Sequence, residues 1–132
     1  MTGATCVFVV DDDPSARRGL ARLVRTACHD SRDFGSVAEL LGALGTVLTG
    51  CVVLDAGMPR LSGEELQAEL RGRGVHLPII IVTADDNPES RRIAQKMKAV
   101  GFFRKPVDGK ALLDAIDWAM QSNSAVGNPK KT

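Results

Sequence analysis

The chain lacks an excess of charge of either sign. Its 132 residues carry 17 Lys and Arg against 16 Asp and Glu, a net charge of +1. Such a balance provides no strong field to concentrate nucleic acid or an anionic membrane surface around the molecule. We therefore expect no nucleic-acid binding by this chain alone and no membrane association. The basic pair Arg91-Arg92 is interpreted as a solvated helix face.

Paired cysteine motifs and long apolar segments are also absent. Cys6, Cys28 and Cys51 show no CxxC spacing, so neither a disulfide framework nor a zinc site is predicted. The apolar run Cys6–Val10 ends after five residues in three aspartates, which excludes a signal peptide, and no run is long enough to cross a bilayer. A reducing, cytoplasmic compartment is the expectation.

Short apolar runs alternate with stretches of helical spacing. The runs are Cys6–Val10, Cys51–Leu54, Ile79–Val82 and, more weakly, Val100–Phe103, and five stretches repeat apolar residues at helical intervals. Such alternation is typical of an α/β protein with a parallel sheet. A further strand is needed between the first two helices, where only the polar stretch Asp30–Phe34 is available, which predicts an edge strand. The predicted fold is a flavodoxin-like, doubly wound, five-stranded parallel sheet of order 2-1-3-4-5 with five helices on its two faces.

Helix start signals agree with this order. Asp13 and Asn87 each place a capping side chain before a proline. Ser36 and Ser62 are predicted to precede the second and third helices.

The end of the chain departs from the pattern. Residues 122–132 carry Ser, Asn, Gly, Pro and two lysines without periodicity. We predict one domain over residues 1–121 and a disordered tail or the start of a linker over residues 122–132. A helix-turn-helix DNA-binding domain would need on the order of 50 or more further residues, whereas only eleven residues follow Gln121.

Polar side chains follow each core strand. Asp11 and Asp12 follow the first run, Asp55 the second, Thr83 the third and Lys105 the last. The carboxyl ends of parallel strands meet at one edge of the sheet, so these groups are expected to lie together. Several carboxylates beside one ammonium are costly unless a cation joins them. Oxygen ligands without His or thiolate suit Mg²⁺, which pairs with phosphate, so the pattern indicates phosphoryl transfer to a carboxylate.

Four motifs follow one another along residues 5–121. Together they resemble the receiver domain of two-component response regulators, a CheY-like fold, of the type that precedes helix-turn-helix output domains. The motifs are Val9-Val10-Asp11-Asp12-Asp13, Leu54-Asp55-Ala56-Gly57-Met58-Pro59-Arg60-Leu61-Ser62-Gly63, Val82-Thr83-Ala84 and Phe102-Phe103-Arg104-Lys105-Pro106.

The resemblance implies a site and a reaction. Asp55 would accept a phosphoryl group from a sensor histidine kinase or a phosphotransfer protein. Asp11, Asp12, Asp55 and the backbone carbonyl of Gly57 would hold Mg²⁺. The chain would catalyse only its own phosphorylation and dephosphorylation.

The resemblance also implies a switch. Thr83, the backbone of Ala84 and Lys105 would contact the phosphoryl oxygens, and Thr83 with Phe102 would couple phosphorylation to conformation. The face formed by the fourth helix, fifth strand and fifth helix would then control an effector, an output domain or a phosphorylation-dependent homodimer.

Some residues depart from the family pattern or invite a separate expectation. Lys98 stands where many members have the glycine that ends the fourth helix, so that helix is expected to end differently or run further. Gly57 and the acidic Asp85 leave the phosphoaspartate open to water, which predicts fast loss of phosphate. The Lys105–Pro106 peptide bond is predicted to be cis, because the strand must turn sharply there.

Two alternatives remain open from the sequence. One is an aspartyl-phosphatase-type hydrolase resembling the haloacid dehalogenase superfamily, in which Asp11-x-Asp13 imitates the nucleophile motif. The other is a receiver-like interaction module that takes no phosphate. Replacement of Asp55 by Asn separates the hydrolase from a receiver, since only a receiver would lose its reaction.

Overall fold

The computed structural model describes residues 6–27, 29–44, 50–58 and 60–124, in which five strands and five helices alternate along the chain. The strands are β1 (Cys6–Val10), β2 (Asp30–Phe34), β3 (Gly50–Asp55), β4 (Ile79–Thr83) and β5 (Gly101–Arg104). The helices are α1 (Pro14–Thr26), α2 (Val37–Leu44), α3 (Arg60–Gly72), α4 (Pro88–Lys96) and α5 (Gly109–Ser124).

The strands form one parallel sheet in the order β2-β1-β3-β4-β5, which confirms the predicted fold. β1 pairs with β2 on one side and with β3 on the other, so Val10 has Phe34 and Leu54 as its neighbours across the sheet. The strand order reverses at this point. Ligands of such folds bind outside the carboxyl ends of the strands beside the reversal, here the ends of β1 and β3.

Side chains of the three central strands point alternately into two hydrophobic layers. Phe8, Val52 and Ile81 face one layer, with α2 and α3, and their neighbours Val7 and Ile80 face the other, with α1 and α5. Every residue of β1, β3 and β4 is buried. Because both faces are covered, these strands are apolar along most of their length, which is why they are recognisable in the sequence.

The edge strand β2 has the predicted bounds and the predicted polarity. Only Phe34 is buried among its residues. One side of this strand has no neighbour in the sheet, so its polar side chains remain in contact with solvent at no desolvation cost.

Helix starts follow the capping signals in all but one case. The Asp13 carboxylate accepts the N–H of Ser15 at 3.2 Å, the Ser36 hydroxyl accepts the N–H of Glu39 at 3.1 Å, and Asn87 begins α4 with a reciprocal capping box. The prediction that Ser62 precedes the third helix is wrong, because α3 already begins at Arg60. Proline lacks an N–H and is favoured in the first turn, so Pro59, next to Arg60 in the sequence, is a stronger start signal than the serine.

Other boundaries also differ from the sequence prediction, most of them by one residue. β5 begins at Gly101, one residue later than predicted, and Val100 is left 41% exposed before it. α5 runs to Ser124, three residues past the predicted domain end at 121, and the predicted tail beyond it lies outside the described residues. At 16 residues α5 is the longest described helix, and none of the helices described here is long and apolar enough to cross a membrane.

The C-terminus of α4 closes at the residue that would be glycine in many receiver domains. Lys98 has φ of 54° and is the one non-glycine residue with positive φ among those described. The N–H of Ala99 donates to the carbonyl of Ala94 at 2.9 Å, and that of Lys98 to Gln95 at 3.1 Å. These are the two hydrogen bonds of a Schellman motif. The expectation that α4 ends differently or runs further is therefore wrong, since the backbone adopts the glycine-type ending with lysine in place.

Candidate functional site

The carboxyl ends of β1 and β3 bring the predicted acidic residues together. Asp11 follows β1 and is fully buried, Asp55 ends β3 and is 8% exposed, and Asp12 lies at the surface. One oxygen from each of these carboxylates lies within 4.8 Å of the others. The sequence therefore located a real cluster of carboxylates.

Backbone amides orient the two buried carboxylates. The N–H of Asp13 donates to Oδ1 of Asp11 at 2.9 Å, and the N–H of Gly57 donates to Oδ1 of Asp55 at 2.9 Å. The Asp13 side chain instead caps α1. Consecutive aspartates at the end of β1 thus take three roles: a buried carboxylate, an exposed carboxylate and a helix cap.

Lys105 contributes the ammonium of the cluster. Its Nζ donates to Oδ2 of Asp11 at 2.8 Å and lies 3.8 Å from Oδ2 of Asp55. The Lys105–Pro106 peptide bond is cis, as predicted, and the N–H of Lys105 donates to the carbonyl of Thr83 at 2.7 Å.

The charges of the cluster perturb one another. Burial raises the pKa of Asp55 and the charge of Asp11 raises it further, and together they outweigh the opposing effects of the Gly57 N–H and Lys105. Desolvation lowers the pKa of Lys105, but the hydrogen bond to Asp11 and the surrounding carboxylates outweigh it, so the net shift is upward. Lys105 therefore stays charged, and the surroundings of Asp55 disfavour its charged form in the absence of a further cation.

The donor set fits a hard divalent cation. The cluster consists of carboxylates without His or Cys, and Mg²⁺ prefers oxygen ligands while retaining several waters. The exposed side of Asp12 leaves room for those waters. Asp11, Asp12 and Asp55 are the residues that could hold the ion, with the carbonyl of Gly57 as a further oxygen.

The loop after β3 places no side chain from Gly57 against the Asp55 carboxylate. A Cβ at Gly57 would lie only 3.3 Å from Oδ1 of Asp55, so a side chain there would crowd that oxygen. Glycine also allows the backbone to approach a ligand closely.

The hydroxyl of Thr83 is engaged with its own loop. It donates to the carbonyl of Asp85 at 2.9 Å and accepts the Asp85 N–H at 3.1 Å. The same carbonyl accepts a second hydroxyl, from the buried Ser90 of α4, at 2.9 Å. Thr83 ends β4 at the same edge as the carboxylates, while Ala84 and Asp85 are exposed beyond it. Contact of Thr83 or Ala84 with a phosphoryl group stays a prediction.

Phe102 and Phe103 place one ring on each side of β5, as expected from strand geometry. Phe102 packs against the layer that contains Ile81, and Phe103 against the opposite layer with Val82. A guanidinium covers the Phe102 ring, with Cζ of Arg91 at 4.8 Å from the ring centroid. Arg91 is 64% exposed, in agreement with its interpretation as part of a solvated helix face, but its contact with the Phe102 ring was not predicted.

A second arginine was also missed. Nη1 of Arg17 donates to the carbonyl of Asp11 at 2.9 Å, and its Nε pairs with Oδ2 of Asp33 at 3.2 Å. Arg17 thus ties the end of β1 to β2 directly behind the carboxylate cluster. Its neighbour Arg18 is of the same type, so the sequence contains no signal that separates the two.

Comparison with known proteins identifies relatives along most of the chain. Residues 7–117 match the family model described as the response regulator receiver domain. Nodulation protein W of Bradyrhizobium diazoefficiens is 41% identical over 110 residues, which are 83% of this chain and 48% of that protein. The transcriptional regulatory protein TdiR of Thauera aromatica is 40% identical over 120 residues, 91% of this chain and 53% of that protein. The chain spans about half the length of these curated relatives.

Solved structures of response regulators superpose on this chain. The response regulator StyR superposes with a TM-score of 0.82 and 38% identity over 98% of this chain and 65% of that one. The FixJ-N structure gives a TM-score of 0.79 at 28% identity, covering 91% of this chain and 96% of that one.

Proposed function

Because the chain belongs to the receiver domain family of response regulators, we propose that Asp55 accepts a phosphoryl group from a phosphohistidine. The donor is a sensor histidine kinase or a phosphotransfer protein. The observation that carries this proposal is the position of Asp55: it ends β3, accepts the Gly57 N–H, and lies beside two further carboxylates and the Lys105 ammonium.

The chemistry follows from these groups. An oxygen of Asp55 attacks the phosphorus in line with the leaving imidazole nitrogen, so an O–P bond forms as the N–P bond breaks. Lys105 and the backbone N–H of Ala84 donate to the phosphoryl oxygens, and the Thr83 hydroxyl turns from Asp85 to do the same. Asp11, Asp12, Asp55 and the Gly57 carbonyl would hold Mg²⁺, which would supply positive charge to offset the charge of phosphate and carboxylates.

Phosphorylation is then transmitted to a surface. When Thr83 moves toward the phosphate, it vacates space beside Phe102, whose ring can turn into it. The readout face consists of α4, β5 and α5. An effector, an output domain or a second copy of the chain binds there, and the similarity to the transcriptional regulatory protein TdiR supports a role in transcription regulation.

The hydrolase alternative has no support in the geometry. Its nucleophile would be Asp11, which is fully buried. Oδ1 of Asp11 accepts the Asp13 N–H and Oδ2 accepts Lys105. A nucleophile that is fully buried offers no oxygen to an incoming substrate.

Phosphoryl transfer can be tested with a small donor. The chain is incubated with Mg²⁺ and acetyl phosphate or phosphoramidate, and intact mass is measured. We expect a mass increase of one phosphoryl group that disappears in Asp55→Asn and persists in the matched control Asp114→Asn, a surface aspartate of α5 paired with Lys110. Absence of the increase in the unmodified chain, or its persistence in Asp55→Asn, would overturn the proposal.

The lifetime of the phosphorylated form is a separate part of the proposal. The glycine at 57 and the exposed Asp85 leave the phosphoaspartate open to attacking water. We expect loss of phosphate on the faster side of the family. A phosphoaspartate that persists for many hours with Mg²⁺ present would contradict this expectation.

A further inference from the structure

Arg91 joins the loop after β4 to the ring of Phe102. Its guanidinium makes a two-point ion pair with Asp86, Nε to Oδ1 at 2.6 Å and Nη2 to Oδ2 at 2.7 Å. The same guanidinium lies over Phe102, with Cζ 4.8 Å from the ring centroid. A two-point pair fixes the plane of the guanidinium, and a cation over an aromatic face is attractive. One side chain of α4 therefore holds both a loop and an aromatic ring.

The ring lies where the switch residue would make room for it. Ile81 pairs with Phe102 and Thr83 with Arg104, so alternation along the strands places Thr83 and Phe102 on one face as diagonal neighbours. A ring that turns toward the space of Thr83 leaves the guanidinium of Arg91. The contact would therefore favour the ring position of this structure.

Asp86 anchors the arginine. The hydrogen bond from Arg91 lowers the pKa of Asp86, and the positive charge of Arg104 on β5 lowers it further. Asp86 is therefore a carboxylate throughout the ordinary pH range. Its hydrogen bonds connect the loop after β4 to α4.

We propose that Arg91, anchored by Asp86, is a positioning residue that clamps the Phe102 ring in its present position and opposes the change driven by phosphorylation of Asp55. The inference rests on the proposed function, since it concerns the same switch. Exposed cation–aromatic contacts are worth enough to bias an equilibrium by about two- to fivefold. Loss of Arg91 should therefore shift the ring equilibrium by about that factor.

The first experiment observes the ring without any phosphoryl group. Aromatic NMR spectra of protein with ¹³C-labelled phenylalanine are recorded, and Phe102 is assigned from the signals missing in Phe102→Leu. In Arg91→Met the chemical shifts of the Phe102 ring should move toward those of the ring turned toward Thr83. In the control Arg92→Met they should match those of the unmodified chain. Arg92 is the neighbouring helix residue, 63% exposed against 64% for Arg91, and pairs with Glu89. Coincident Phe102 signals in Arg91→Met and Arg92→Met would overturn the clamp.

The second experiment couples the ring to the site. Beryllofluoride with Mg²⁺ imitates a phosphoryl group, and its affinity is followed by the amide signal of Thr83. Arg91→Met should bind it about two- to fivefold more tightly than the unmodified chain, and Asp86→Asn, which removes only the anchor, should change affinity in the same direction. Equal or weaker binding by Arg91→Met would overturn the coupling. If the unmodified chain binds no beryllofluoride, the proposed function fails, and the ring spectra still decide whether Arg91 holds Phe102.

Discussion

Replacement of Lys98 by glycine is expected to stabilise the fold. At φ of 54° the Cβ of Lys98 stands close to the backbone, which costs an L-residue about 1–2 kcal/mol. Glycine avoids this cost but loses about 0.5–1 kcal/mol more backbone entropy on folding. Both hydrogen bonds that close α4 are made by backbone atoms and survive the change. The net gain is about 0.5–1 kcal/mol, which corresponds to a rise in Tm of about 2–4 °C for a domain of this size.

Thermal and urea unfolding of the metal-free protein measure this gain. Lys98→Ala is the matched control, because it removes the charged side chain but keeps the Cβ, and its stability should stay close to that of the unmodified chain. Gly74 has φ of 68°, so Gly74→Ala should lower stability by about 1 kcal/mol. A Lys98→Gly protein no more stable than the unmodified chain, or an equal gain in Lys98→Ala, would refute the reasoning from backbone strain.

Three further changes test other parts of the structure. Gly50→Ala should cost about 2–4 kcal/mol, because φ is 146° and the new Cβ would stand 2.3 Å from the Cys6 carbonyl; an unchanged urea midpoint would contradict this. Asp55→Asn should raise the Tm of the metal-free protein at pH 7. Since burial raises the pKa of Asp55, the folded protein holds the Asp55 proton more tightly than the unfolded chain does. The stability of the unmodified protein therefore falls as pH rises from the pKa of Asp55 in the unfolded chain to its pKa in the folded protein. A Tm gain in Asp55→Asn that did not shrink toward pH 4 would speak against this reasoning. Burial raises the pKa of Cys51 to about 12, so iodoacetamide at pH 8 should label it only after unfolding, and peptide mapping that finds it labelled in the native protein would be inconsistent with the burial.

Much of the fold was predictable because strands that are buried on both faces of the sheet consist of continuous apolar residues. The central strands are apolar runs, and the polar stretch Asp30–Phe34 was assigned to the edge with its observed bounds. The acidic cluster was predictable for a related reason. In a parallel sheet, the residue after each strand reaches the same edge, so Asp11, Asp55 and Lys105 could be brought together from their order alone.

The parts that were missed depend on side-chain direction and local competition. Arg91 and Arg92 are adjacent and equally charged, yet only Arg91 lies over Phe102, and that choice follows from where α4 packs rather than from the residue type. The start of α3 was misplaced because a serine and a proline compete as start signals within four residues. At Lys98 the tertiary position of α4 imposes a backbone conformation against the preference of the residue. Each of these outcomes is decided by packing between elements.

The carbonyl oxygen of Asp85 has a consequence for how easily the switch can move. It accepts two hydroxyls at 2.9 Å, one from Thr83 and one from Ser90. When Thr83 departs, the oxygen can still accept the Ser90 hydroxyl, which it shares with the carbonyl of Asn87 at 3.0 Å, and Asp85 is also exposed to water. The movement therefore forfeits the two hydrogen bonds that Thr83 makes with Asp85, about 1 kcal/mol each, and avoids the larger penalty of an acceptor left without a donor. Because Ser90 of α4 can still donate to the Asp85 carbonyl, the movement of the Thr83 hydroxyl costs less free energy than the number of hydrogen bonds in this loop suggests.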